Sequence, residues 1–378
     1  MEKYKKLQKN RYLLFGILVL ELILLLILVL IKYDVSDGWL GFWGGVIGSI
    51  VGVVGAILIL NFQMAEERKQ SRKDQIDNTF FNLLEMHVNL KERIGDAKLN
   101  NYYFSIYEKL QQTLTTKGNT RLQDPDVKEI LQSLYLSYIQ QMKEEVIKLG
   151  IEINVMPEDD EQKISYLTDL VNTNFHPKTD DETRKFYLIC SDLRGEATQV
   201  SRLIKNEFHV DLKMQSFWNI YNNVNKYIND PLVIDKLESV ADEMEMYKKG
   251  RNSYFLISEN ERKKIINTVS NNCYSDLGAY FRLTHRIIKY INDSVKEPKE
   301  RNNYLGFFRS TIEEYDMLVI FYNAYYTERG KGLGKELSKT SFFGKKGELG
   351  ENNNFIQHFS RDKLFWPKED LKLMRDYT

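Results

Sequence analysis

Cysteine is almost absent from this 378-residue chain: only Cys190 and Cys273 occur, far apart and with no CxxC spacing. That excludes a disulfide framework and a cysteine-rich structural zinc site, and it suits a reducing compartment. Histidine is scarce too. His87, His176, His209, His285 and His358 include no pair at i, i+3 or i, i+4, so no helical metal site can be assembled. No metal and no cofactor are expected. Proline occurs six times, and Pro125, Pro231 and Pro298 fall at apparent helix boundaries. Neither sign of charge is in excess: 53 basic residues balance 53 acidic ones. Without a basic surplus the sequence carries no strong nucleic-acid signal. The HExxH, GxSxG and DxDxDG motifs and the kinase set are all missing. The stretch Gly330–Thr340, GKGLGKELSKT, fails as a phosphate loop. Its glycines lie too close for GxxxxGK[ST], Glu336 follows Lys335, and no apolar strand precedes it. It reads instead as a flexible surface loop. With no catalytic motif above chance, the reading leans away from an enzyme.

Long apolar runs are present, and only near the start. Leu13–Ile31 reads LLFGILVLELILLLILVLI and Leu40–Leu60 reads LGFWGGVIGSIVGVVGAILIL. Each matches the roughly 20 helical residues that cross a hydrocarbon layer about 30 Å thick. A cleaved signal peptide has a shorter apolar core and an A-x-A-like site, and neither fits. Lys3, Lys5, Lys6, Lys9 and Arg11 precede the first run, and Arg68, Lys69, Arg72 and Lys73 follow the second. The connecting loop holds Lys32 alone, against Asp34 and Asp37. Basic flanks stay inside, so both chain ends are expected in the cytoplasm, with a multi-pass anchor in the bacterial cytoplasmic membrane. Tyr12, Tyr33, Trp39 and Trp43 stand where interfacial aromatic anchors belong.

Within the second run Gly44, Gly48 and Gly52 recur at four-residue spacing, with Gly41, Gly45 and Ser49 in an adjacent row. Small-residue rows let helix backbones approach closely in lipid. Two packings are open: against the first span of the same chain, or between chains in a homo-oligomer. Glu21, costly in mid-bilayer, is a functional-site candidate that packing against the neighbouring helix would also explain.

From residue 63 onward the pattern is that of a water-soluble helical protein. A polar stalk leads into TFFNLLEMHVNLKERI, where Phe80, Phe81, Leu84 and Val88 keep helical spacing. Further helices are expected at about 124–149, 160–173, 196–229, 232–249, 258–270, 274–295 and 303–327. The expected organisation is all-α, two N-terminal transmembrane helices followed by a helical cytoplasmic domain. It divides into a basic N-terminus (1–12), the anchor (13–62), stalk and first domain helix (63–98), the main domain (99–327) and a C-terminal tail (328–378). Arg282, Arg286 and Lys289, flanked by His285, form one basic stripe, and Arg309, Glu313 and Asp316 repeat the spacing on the next helix. A hairpin about Pro298 could set Arg282 or Arg286 against Glu313 or Asp316. Such pairs are worth little when solvated. Arg202 and His209 carry an arginine–histidine spacing seen in helical RNases of the HEPN type, a match of chance frequency in this composition. A membrane-tethered RNase, with this pair or the 282–316 hairpin as its site, and a non-catalytic membrane receptor or tether for a partner protein are the alternatives to an effector.

The stretches NTFFNLLEMHVNL, YFRLTHRIIKYIND and YLGFFRSTIEEYDMLVIFYN, behind a glycine-rich span and charged stalk, resemble the phage abortive infection (AbiC-like) family of bacteria. The likeness spans roughly 40–326 and is dense only at 79–90 and 276–323. By this resemblance Phe80, Phe81, Asn82, Leu83, Leu84 and His87 match the first family stretch. Tyr280, Phe281, Arg282, Tyr290 and Ile291 match the second, and Tyr304, Arg309, Tyr315, Asp316, Tyr322 and Asn323 the third. Asp316 stands where glutamate is more usual, and His285 departs from the usual aromatic or basic residue. The resemblance implies anti-phage defence in which the infected cell arrests or dies before the virus matures, with a phage or host protein as trigger. Related anchored proteins resemble effectors of retron systems, so retron components join the lipid bilayer among the implied partners. No catalytic residue is carried over. The interaction candidates are thus Arg282, His285, Arg286, Arg309, Glu313, Asp316 and Asn323.

Overall fold

The structure is a computed structural model and describes residues 37–378 except 249, 351–352, 354–355 and 377–378, together with Glu21, Leu25 and Leu28. Among the described residues it is all-helical. The chain divides into two compact units, residues 1–79 and 80–378.

In the first unit helix α1 (Asp37–Ile94) begins, and it runs unbroken through the stalk into the second unit. Its N-terminal part is long and apolar enough to cross a membrane, and none of that window is buried. Among the described residues the apolar side chains here are uncovered: Ile50, Val53, Ile57 and Leu60 are all more than half exposed. This is the one candidate span among the described residues. The other expected span, Leu13–Ile31, lies outside them except at Glu21, Leu25 and Leu28, which are helical and exposed.

The second unit is built on two apolar cores. Gly95, at φ +79°, lets the chain turn out of α1 at once into α2 (Asp96–Arg121), a conformation that costs an L side chain about 1 kcal/mol or more. Gly150 does the same after α3 (Pro125–Lys148), at φ +76°. The first core gathers the end of α1, α2, α9 (Glu259–Ser294), α10 (Pro298–Arg309) and α11 (Glu314–Tyr326), with Phe80, Tyr102, Ile106, Tyr280, Phe308 and Tyr322 fully buried. The second core is formed by α3, α4 (Asp160–Asn174), α5 (Asp180–Tyr187), α6 (Arg194–Ile204), α7 (Lys213–Tyr227) and α8 (Pro231–Glu245). Helix α2 touches both, packing on α9 and α11 and also on α7.

Helix starts follow local chemistry. Pro125, Pro231 and Pro298 stand in the first turn of α3, α8 and α10, where a missing N–H costs nothing. Asp159 accepts from the N–H groups of Glu161 and Gln162, and Thr179 with Glu182 closes a capping box on α5.

Four expectations need correction. Helices 258–270 and 274–295 are one 36-residue helix, α9. The helix expected over 303–327 is two, because Glu313 and Asp316 close a capping box that restarts the chain as α11 after the turn at 310–312. The helix expected over 196–229 breaks at 205–212, where Asn206 adopts φ 63°. The flexible loop expected at Gly330–Thr340 is a packed turn of helix, α12 (Lys331–Leu337), with Leu333, Gly334, Glu336 and Leu337 buried.

Candidate functional site

Among the described residues the ion pairs do not include the expected ones between the two stripes. Asp316 lies in the first turn of α11 and is almost fully buried, and its partner is Lys91, near the end of α1, at 2.7 Å. Glu313 at 3.4 Å and Asp96 at 3.4 Å complete a three-carboxylate cage around that ammonium. Burial pulls the Lys91 amine down, and the three carboxylates more than restore it, so the side chain stays charged. Burial pushes the Asp316 carboxyl up against the pull of Lys91. An ion pair this enclosed adds little net stability, yet removing one member strands a charge. It ties the end of α1 to the start of α11.

One turn earlier on α1, His87 is fully buried against Tyr280 and Phe308, with ring centroids at 4.8 and 5.0 Å. It hydrogen-bonds through Nε2 with Thr284 Oγ1 at 3.2 Å. Burial, then the Lys91 charge, pulls its pKa down to about 4, so the imidazole is neutral. Its position inside the core excludes proton exchange with a substrate at the surface.

Arg282 and Arg286 do not reach Glu313 or Asp316. They point along the outer side of α9, where Arg282 Nη1 donates to the Tyr274 hydroxyl at 2.8 Å. Arg329 covers the Tyr274 ring at 3.9 Å, and the two guanidiniums pull the phenol pKa down. Tyr274 lies flat across Gly278, whose absent Cβ would fall 2.9 Å from the ring. Between α1 and α9 a groove of about 300 Å³ is lined by Met86, Leu90, Leu283, Arg93, Arg282 and Arg286. His285 faces the opposite way, against Gly332 of α12.

Arg309 Nη1 donates to the carbonyls of Ser341 and Phe342 at 3.1 and 3.3 Å, and burial pulls its pKa down. Asn323 is buried in α11; its carbonyl accepts from Thr327 Oγ1 at 2.7 Å. That carbonyl also explains the glycine run: a Cβ on Gly330 would fall 1.8 Å from Asn323 O, and one on Gly334 2.7 Å from Ala324 O. The glycines let α12 lie directly on the α11 backbone.

Sequence reasoning missed the seat of the C-terminal helix α13 (Pro367–Asp376). Asp370 is fully buried, where it accepts from Tyr322 at 2.9 Å, from Tyr326, and from the Trp366 N–H at 3.1 Å. Burial pushes its pKa up to about 7. Trp366 donates from its indole to Tyr254 O at 2.7 Å and lies beneath the Arg262 guanidinium at 4.7 Å. The available signal was the LFW patch followed by an acidic helix start.

Arg202 stands in the last turn of α6 with its guanidinium over Phe208 at 4.8 Å, and His209 lies within the break between α6 and α7. Among the described residues no group of three His, Cys, Asp or Glu converges as a metal set. On the apolar part of α1, Gly44, Gly48 and Gly52 present an open face, with nothing described within 4 Å of their Cβ positions. Glu21 is helical and exposed.

Searches of curated proteins and of solved structures found no match. Residues 273–345, which run from α9 through the Asp316 cage and α12, match the model of the putAbiC family, described as Putative phage abortive infection protein, in agreement with the resemblance read from the sequence.

Proposed function

We propose that this protein is an anti-phage effector of the abortive infection type that acts from the cytoplasmic membrane. The carrying observation is the family match over 273–345, on a segment that binds Lys91 of α1, the helix whose N-terminal part is apolar and uncovered. In this reading residues 80–378 form a cytoplasmic helical domain that receives a phage or host protein signal. The domain passes that signal along α1 to the anchors, Leu13–Ile31 and Leu40–Leu60. Homo-oligomers formed through Gly44, Gly48 and Gly52 then perturb the membrane or arrest growth, with retron components as candidate partners. The Arg202/His209 alternative is set aside, because the helix that would align the two residues is broken.

The test is phage challenge of cells expressing the full chain at high and low multiplicity. Plaques should fall at low multiplicity, while at high multiplicity the culture should collapse without releasing progeny. Undiminished progeny would remove the reading. Replacing Gly48 by Leu adds bulk midway along the glycine row while favouring insertion. Normal membrane levels with loss of cross-linked oligomers and of protection are expected; full protection would reduce the span to an anchor.

A further inference from the structure

We propose that the groove between α1 and α9 is a docking site for an acidic amphipathic helix of a partner protein. Its floor is apolar, formed by Met86, Leu90 and Leu283, and its rim carries Arg93, Arg282 and Arg286. Met86 is 58% exposed, an uncovered thioether one turn from the buried Leu90. None of the three guanidiniums has a carboxylate within ion-pair distance among the described residues, although acidic and basic residues balance over the chain. Of the α9 carboxylates, Asp276 pairs with Lys98 at 3.3 Å and Asp293 with Lys289 at 3.2 Å. Beyond one end, Arg282 and Arg329 converge on the Tyr274 hydroxyl, a further cationic point.

An apolar channel between two helices accepts the ridge of a third, with anchors spaced i, i+3, i+4 and i+7. The rim sets the charge of that third helix. Arginines forced out of water by a docked neutral or basic helix would be left without partners, whereas glutamates along both flanks pair with them bidentately. A second copy seated face to face would set one arginine rim against another, which like-charge repulsion opposes. Nucleic acid would lay phosphates on Leu90 and Leu283, and a lipid headgroup layer is flat where this site is concave. The groove joins α1 to the family segment, so an occupant would press on both at once. Because this inference is read by binding alone, it stands or falls separately from the defence reading.

The experiment uses the full chain in detergent micelles and fluorescence anisotropy. The probe is a labelled 18-residue helical peptide with leucines at i, i+3, i+4 and i+7 and glutamates on both flanks. The glutamate peptide should bind at least tenfold tighter than a lysine-flanked counterpart. Arg282→Glu with Arg286→Glu should weaken it tenfold or more with the circular dichroism spectrum unchanged, and Arg93→Glu, on the other wall, should weaken it independently. The proposal is overturned if the two peptides bind alike, or if the charge reversals leave binding intact. It is equally overturned if the arginines serve only a single-stranded RNA or phosphatidylglycerol vesicles, or if they serve only self-association.

Discussion

Gly330 and Asp370 carry the most information per residue. At Gly330 the backbone is ordinary, with φ −83°, so the demand for glycine comes from space alone: a methyl would sit 1.8 Å from Asn323 O, far inside van der Waals contact. Backbone on both sides cannot yield cheaply. Gly330→Ala is therefore expected to cost at least ~2 kcal/mol, read as a fall in Tm, while Gly347→Ala, with open space around it, should be near neutral. Asp370 gives a pH signature. Its folded pKa of about 7 exceeds the unfolded value of 3.8, so the folded chain keeps a proton that the unfolded chain gives up. Stability from this group is greatest at low pH and declines as pH rises from about 4 to 7. His87 acts with the opposite sign: its folded value near 4 is below 6.5, so its contribution is lost as pH falls through that window. Because the two slopes oppose, the test is a difference. Thermal scans of wild type and Asp370→Asn from pH 5 to 8 should show the wild type losing more stability than the variant as pH rises. A constant gap would contradict the assignment.

Among the elements, α1 and α11 are tied by one ion-pair cage, and its members are not equivalent. Lys91→Met leaves Asp316 buried beside Glu313 and Asp96 with no cation, an arrangement expected to cost ~3 kcal/mol. Asp316→Asn keeps a cap for α11 and removes the stranded charge. The double variant should thus lose less than the sum of the singles in a double-mutant cycle of thermal unfolding. Strict additivity would mean that the two residues act apart. Much of this level was legible in the sequence. The proline starts, the helical class and the long α1 all follow from residue chemistry and periodicity. What escaped notice depended on distance in the fold. The hairpin stripes suggested Arg282 against Asp316, but a stripe does not say which helix comes to lie beside it, and Lys91 arrives from 225 residues upstream of Asp316. Helix α2 was passed over because its threonines, asparagines and Gly118 are weak helix formers, although Leu99, Tyr102, Ile106, Leu110 and Leu114 keep the period. The glycines of α12 looked like flexibility because contact with another backbone leaves no local trace.

The whole molecule combines a helical domain with two apolar cores and an uncovered apolar helix that runs into it without a break. Such a helix in water would expose a continuous face of Val, Ile and Leu, far beyond the scattered apolar residues of an ordinary surface. The helix is long and apolar enough to cross a membrane, and the proposed function covers it with lipid. If the domain acts from a membrane, as proposed, removing the anchor abolishes protection. Cells expressing the full chain and cells expressing residues 63–378 at equal soluble-domain levels are challenged with the same phage, and plating efficiency is measured. The full chain should depress plating by orders of magnitude, and the truncated chain, folded by circular dichroism and recovered in the soluble fraction, should leave it at the level of the empty vector. Equal protection by the truncated chain would contradict the account.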